Sequence, residues 1–193
     1  MLEREGLHVL ADASSGREAV ELARRLRPEI VIIDISIPDL NGIDATRTLV
    51  SELRGLKVVG LSMHVDQLYV SAMLKAGAMA YISKNDGLDE LARALRAVAA
   101  GFTYLSRSVA FVGVDKVVEP TSSREPLKAL SLKEREVLQL LAEGSASKEI
   151  ADRLSISTTT VESHRRNIVA KLNLHSVAQL TKYAMREGIT STD

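Results

Sequence analysis

The chain has 193 residues, 25 Lys+Arg against 25 Asp+Glu, four His, no Cys and no Trp. Its length allows one large domain or two small ones at roughly 100–200 residues each, its hydrophobic fraction of 46% is enough for a core, and the missing Cys exclude a disulfide framework, a redox CxxC and a thiolate zinc site. No apolar run approaches the ~20 residues of a membrane span and the Met1 segment has no signal-peptide core, so a cytoplasmic chain without membrane contact is expected; the zero net charge says nothing for or against nucleic acid.

The first half alternates apolar runs with amphipathic stretches. Strands are predicted at His8–Ala13, Ile30–Asp34, Lys57–Ser62 and Met79–Ser83. Helices are predicted at Arg17–Leu26, closed by Pro28, at Gly42–Leu53, at Asp66–Ala76, closed by Gly77, and at Leu88–Ala100, closed by Gly101. Such alternation implies right-handed βαβ units, hence a doubly wound α/β domain with a mostly parallel sheet. The unbroken run Ile30-Val31-Ile32-Ile33 suits a strand covered on both faces.

Residues 102–130 break the alternation. A short helix capped by Ser106 is predicted at Arg107–Val112, and Gly113–Ala129 mixes Gly, Pro, Ser, Thr and charge without period, as linkers do. From Ser131 the pattern is helical only. Ser131 and Glu134 make a capping box that opens a helix with Leu132, Val137, Leu138 and Leu141 on one face, closed by Gly144. A second helix follows at Ser147–Leu154 with Ile150, Ala151 and Leu154 inward. Ser157 caps a third, to about Leu172, and Ser176 with Gln179 a fourth, to Gly188. Four short helices, the middle pair joined by Ser155-Ile156-Ser157, suggest an all-α helix-turn-helix domain.

In an open parallel sheet, chemistry gathers beyond the carboxyl ends of the strands. There Asp34, Ser62 and Lys84 meet from distant parts of the chain. A carboxylate with an ammonium to neutralise new charge and a small hydroxyl to follow it suits a phosphorylated aspartate. From position alone, a loop-capping Asp34 and a solvated Lys84 remain an equal alternative.

The wording around these residues adds to the pattern. Pro28-Glu29-Ile30-Val31-Ile32-Ile33-Asp34, then Ile37-Pro38-Asp39-Leu40-Asn41-Gly42, Gly60-Leu61-Ser62, Gly77-Ala78 and Tyr81-Ile82-Ser83-Lys84 resemble the receiver domain of two-component response regulators, over residues 1–101. The resemblance implies Asp34 as phosphoacceptor, Ser62 as switch hydroxyl, Tyr81 as the aromatic that moves with it, and Lys84 as the contact to the phosphoryl group. It also implies Mg²⁺, held by Asp34 and an acidic pair at the end of a first strand. That pair has no counterpart: Met1–Gly6 reads as the end of the first helix, and Glu3, Glu5 and Asp12 do not match it. About 17 residues of strand and helix are missing on average element lengths. In the 2-1-3-4-5 order of such sheets the missing strand lies between His8–Ala13 and Ile30–Asp34, and each group it would leave buried and unpaired costs roughly 1–3 kcal/mol. The expectation is a protein that starts upstream of Met1, ahead of a re-paired sheet or a strand from another chain, and a receiver impaired in metal-dependent phosphorylation as it stands.

On a helical wheel from Thr158 to Leu172, Val161, Ile168 and Leu172 fall together. Thr159, Ser163, Arg166, Asn167 and Ala170 lie opposite, flanked by Glu162 and Lys171. This short, polar, modestly basic face fits a major groove. Arg166 is the best candidate for a base edge or phosphate, and Thr159 or Thr160 for a phosphate at the helix start. An ordinary solvated face gives the same pattern. Leu130-Ser131-Leu132-Lys133-Glu134-Arg135-Glu136-Val137-Leu138, Gly144, Lys148-Glu149-Ile150-Ala151, Leu154-Ser155-Ile156-Ser157, Thr160-Val161, His164 and Ile168-Val169-Ala170-Lys171-Leu172 resemble the LuxR-type DNA-binding domain. With the receiver this is the NarL/FixJ arrangement: receiver 1–101, linker 102–126, helix-turn-helix domain 127–191. The resemblance implies that positions 162, 163 and 166 face bases. Ala146, where a capping Ser or Thr is common, leaves the second helix to fray unless Ser145 or Ser147 caps it. Val177 replaces a common Arg, and Glu162, where Lys is frequent, could accept from cytosine N4.

The implied protein is a transcriptional regulator phosphorylated on Asp34 by a histidine kinase. In this family the unmodified receiver commonly covers the recognition helix. Phosphorylation releases a domain that dimerises, the fourth helix being a candidate face, and reads two half-sites on duplex DNA. Two other classes compete. One is a phosphorylation-independent DNA-binding regulator whose first half binds a protein or ligand. The other is an aspartyl-phosphate hydrolase with Asp34 as nucleophile, for which the sequence supplies neither a general acid nor a metal site clearly.

Overall fold

The structure is a computed structural model that describes residues 7–110 and 130–190. The chain divides into two compact units, Met1–Val118 and Glu119–Asp193. The predicted linker core Gly113–Ala129, the last two residues of the predicted helix Arg107–Val112, and Met1–Gly6 lie outside the described residues.

The first unit runs α1 (Gly16–Leu26), β1 (Ile30–Asp34), α2 (Gly42–Glu52), β2 (Lys57–Ser62), α3 (Gln67–Lys75), β3 (Ala80–Ser83), a 3₁₀ turn Lys84–Asp86, α4 (Leu88–Ala99), β4 (Tyr104–Leu105) and α5 (Arg107–Ala110). The four strands are parallel and lie in chain order, with Asp34 opposite Leu61 and Ser62 opposite Ser83. Side chains alternate between the two faces. Val59, Leu61, Ala80 and Ile82 pack with Leu91, Leu95 and Val98 of α4, while a Cβ on Gly60 would meet Met73 of α3 at 3.0 Å. Both faces of β2 and β3 are therefore covered, whereas the apolar run of β1, expected to be covered on both faces, is only partly so: Ile33 is buried and Ile32 is 37% exposed. Local chemistry starts the helices: Ser15 accepts from the Glu18 N–H, Asn41 from Asp44 and Asp66 from Leu68.

Two elements differ from the sequence reading. Tyr104–Leu105 pairs with Ala80–Tyr81 of β3, so the sheet continues into the stretch that periodicity treats as irregular. Two residues are too few to show a period of two, and only the neighbouring strand selects them. Conversely, His8–Ala13 is not a strand. A strand needs a ladder for its N–H and C=O groups, and the sheet ends at β1. Between them is a groove of about 620 Å³, bordered by Leu22 and Leu26 of α1, Val31 and Ile33 of β1, and Leu95. Four of the exposed large apolar side chains, Val9, Leu10, Leu26 and Ile32, lie along it. Among the described residues the sheet does not re-pair across this gap.

The described residues of the second unit form four helices, α6 (Leu132–Ala142), α7 (Ser147–Leu154), α8 (Thr158–Leu172) and α9 (Val177–Arg186). Val137, Leu138, Leu141, Ile150, Leu154, Val161, Ile168, Leu180 and Ala184 form one core. The capping boxes at Ser131–Glu134 and Ser176–Gln179 are both made. Leu132 is only partly buried, and Leu140 takes its place in the core. At Ala146 neither neighbouring Ser caps the helix start: the Glu149 carboxylate accepts the Ala146 N–H at 2.7 Å. Ser155 turns the chain in the left-handed region at φ 53, and its Ile156 N–H donates to the Ala151 carbonyl.

Glu134 also ties α6 to α8. Its buried carboxylate accepts Lys171 Nζ at 2.9 and 2.7 Å and the Ser131 N–H at 2.7 Å. Burial pushes its pKa up, but the Lys171 and Ser131 hydrogen bonds outweigh it and hold the carboxyl below its ordinary value of 4.5. A depressed folded-state pKa adds stability that is complete above the unfolded value and lost as pH falls through the folded one. The helical unit should therefore lose stability below about pH 4.5 in urea titrations, and Glu134→Gln should flatten that acid limb. In the first unit, a Cβ on Gly42 would stand 2.2 Å from the Asp34 carbonyl oxygen. Gly42→Ala should cost about 1–3 kcal/mol, the range of overpacked positions, seen as a lower Tm of the sheet unit.

Candidate functional site

The carboxyl ends of β1, β2 and β3 bring Asp34, Ser62 and Lys84 to one rim. Asp34 Oδ1 accepts the Ser36 N–H at 3.1 Å, and Lys84 Nζ donates to Oδ2. Because β2 lies between β1 and β3, this ion pair straddles the end of the strand that carries Ser62. The Asp34 side chain keeps 30% of its surface open, enough for a reagent to approach. The Asn41 and Gly42 turn supports it, since the Gly42 N–H donates to the Ile35 carbonyl at 3.0 Å.

Ser62 and Tyr81 are both fully buried and share one loop. Ser62 Oγ accepts the His64 N–H at 3.0 Å, and Tyr81 Oη donates to the His64 carbonyl at 2.6 Å. The His64 ring stacks on Tyr69 with centroids 4.8 Å apart. Burial pushes the Tyr81 phenol well above its ordinary range, against a lowering hydrogen bond with Ser62. The phenol thus stays a donor at every physiological pH. A shift of the Ser62 hydroxyl would loosen the backbone that Tyr81 holds, which connects the rim to α3.

Among the described residues there is no group of three or more His, Asp or Glu that could hold a metal ion. The rim offers Asp34, and Asp34 already carries an ammonium. Mg²⁺ takes a near-octahedral shell of oxygens, and this donor set does not fit it. Asp12 lies along the groove beside α1.

In the second unit, α8 presents the face that the wheel describes. Thr159, Arg166, Asn167 and Ala170 are exposed and Ser163 is half-buried, opposite Val161 and Ile168. Ser163 Oγ donates to the Thr159 carbonyl and accepts from Arg166 Nη2, each at 3.0 Å, which lays the guanidinium along the helix. Thr160 serves the cap, with its N–H and Oγ1 on Ser157 Oγ at 3.0 and 2.8 Å. Two expected groove residues are engaged elsewhere: Lys171 with Glu134, and Glu162 with Ser147 and Arg165. Ser147 and Arg165 escape the sequence reading because their meeting depends on the α7–α8 crossing. The pair Glu134–Lys171, 37 residues apart, is hidden in the same way.

Comparison with known proteins agrees with both halves. Residues 1–96 match the family described as "Response regulator receiver domain" and residues 128–184 that described as "Bacterial regulatory proteins, luxR family". The transcriptional regulatory protein MctR of Rhizobium johnstonii is 37% identical over 185 residues, covering 96% of this chain and 84% of its own. The oxygen regulatory protein NreC of Staphylococcus epidermidis is 37% identical (96% and 88%), and the response regulator UvrY of Escherichia coli 30% (98% and 87%). Among solved structures, a two-component response regulator RcsB–DNA complex is similar at 26% identity and TM-score 0.55, covering 96% of this chain and 89% of that one. RcsB of Salmonella typhimurium is similar at 26% and 0.54, covering 94% and 87%. A parallel sheet with an aspartate rim, followed by a four-helix helix-turn-helix unit, makes the chain a member of the NarL/FixJ-type two-component response regulators, which bind DNA.

Proposed function

We propose that this regulator takes its phosphoryl group on Asp34 from a histidine kinase, in the cytoplasm, and answers by binding duplex DNA as a homodimer. The observation that carries the acceptor assignment is the Asp34–Lys84 pair on an open rim. An Asp34 oxygen would bond to phosphorus as the phosphohistidine N–P bond breaks, and the freed imidazole takes up a proton. The added charge of up to about two units draws Lys84 to the phosphoryl oxygens, and Ser62 and Tyr81 follow through the His64 loop. The protein acts as a regulator and not as an enzyme, and the receiver and helix-turn-helix domains are assigned to 1–101 and 127–191 with a linker between them.

Receivers of this family typically use Mg²⁺. That Asp34 has no carboxylate partner for a metal among the described residues supports the reading that Mg²⁺-dependent transfer is slow in this chain. A second reading is a receiver that works through a bound protein or ligand without phosphorylation, which the lack of a described second carboxylate beside Asp34 favours.

On the DNA side, the exposed Thr159, Arg166 and Asn167 and the adjoining Ser163 support α8 as the recognition helix, with Thr160, Glu162 and Lys171 at its margins. Val177, 52% exposed on α9, supports that helix as the dimer face.

Incubated with acetyl phosphate and Mg²⁺, the chain should label well below one phosphate per molecule, and Asp34→Asn should abolish the label. Stoichiometric labelling would overturn the impairment, and label surviving the substitution would overturn the acceptor. DNA affinity that ignores phosphodonor but shifts with another ligand would favour the second reading. Arg166→Ala should cost roughly 1–3 kcal/mol of specific DNA affinity; an unchanged footprint removes it from the contacts.

A further inference from the structure

Glu162 is the only acidic residue on α8. Instead of facing outward with Arg166, its carboxylate turns toward α7. Ser147 Oγ donates to Glu162 Oε1 at 2.6 Å, Arg165 Nη1 donates to the same oxygen at 3.1 Å, and Arg165 Nη1 also donates to Ser147 Oγ at 2.9 Å. The three groups close a ring of hydrogen bonds between the two helices of the helix-turn-helix. The Ser147 hydrogen bond first, and then the charge of Arg165, hold the Glu162 carboxyl below its ordinary value, so it is an anion at neutral pH.

A hydroxyl from one helix and a guanidinium from the next, converging on one anionic oxygen, is the donor set that grips a DNA phosphate. The side chains remain open, at 35% exposure for Arg165 and 46% for Glu162, so an external anion can reach them. Glu162 flanks the face of α8 that bears Ser163 and Arg166, while Arg165 lies on the side turned toward α7, where it meets Ser147.

We propose that Ser147 and Arg165 form a binding site for a backbone phosphodiester of the duplex, and that Glu162 occupies this site in the free protein. The inference rests on α8 being the recognition helix. A phosphate entering the site displaces the carboxylate from Arg165 and leaves it a hydrogen-bonded rim group. Glu162 then opposes every duplex alike, because backbone phosphates are the same in all sequences. It is a positioning residue that acts through Arg165 and does not read cytosine.

The test uses the full chain, a random-sequence duplex and a duplex selected from a random pool by the unaltered protein. Glu162→Gln should tighten binding to both duplexes by about three- to tenfold, the worth of one hydrogen-bonded contact. It should steepen the salt slope by about one phosphate and leave base preference unchanged at every position. Adding Arg165→Ala should cancel the gain. Ser147→Ala should weaken binding to both duplexes, while Ser147→Thr, which keeps the hydroxyl, should retain it. The Tm of each variant separates loss of fold from loss of contact. A changed preference at one base pair, or affinity and salt slope equal to those of the unaltered protein, would overturn the proposal. Arg166→Ala, Thr159→Ala and Asn167→Ala run in parallel test the recognition helix on its own: neutral results at all three refute the helix assignment, whatever Glu162→Gln does.

Discussion

An ammonium held against a carboxylate across the end of an intervening strand is the contact on which the first unit turns. Asp34 and Lys84 are 50 residues apart, and they meet because three successive strands run parallel with matched carboxyl ends. Parallel pairing requires crossover helices, and those helices supply the caps and glycines that let the rim close. Gly42 illustrates the tightness: its backbone lies so near the Asp34 carbonyl that no side chain fits. The rim is therefore rigid beneath Asp34 and adjustable above it, where Ser62 and Tyr81 both bond to the His64 backbone.

The helical unit solves a related problem with polar ties. Its core is a single cluster of aliphatic side chains around Tyr183, whose phenol is pushed up to about 12 by burial. Aliphatic packing alone tolerates sliding, whereas hydrogen-bonded charges demand one geometry. Glu134 with Lys171 fastens α6 to the end of α8, and Ser147 with Glu162 and Arg165 fastens α7 to its beginning. With both ends of α8 held, the outer side chains Thr159, Arg166 and Asn167 stay free of the core and open to solvent.

These ties redistribute roles that the helical wheel assigns by angle. Lys171 and Glu162 flank the outer face by rotation about the axis, yet both are spent on neighbouring helices. Rotation sets the direction in which a side chain leaves the helix. A long side chain then follows the nearest opposite charge.

The sequence by itself determined the helices, the strands from Ile30 to Ser83, most of the caps, the aspartate rim and the outward face of α8. These depend on short-range periodicity, on capping residues three positions apart, and on motifs whose residues are adjacent in the chain. Only the tertiary structure decided that Tyr104–Leu105 is a strand and that His8–Ala13 is not, because a strand exists through its neighbour's hydrogen bonds and not through its own residues. The pairing of Glu134 with Lys171 and the partners of Glu162 were settled there too, since they depend on where helices cross, and crossing angles come from packing that no local pattern encodes.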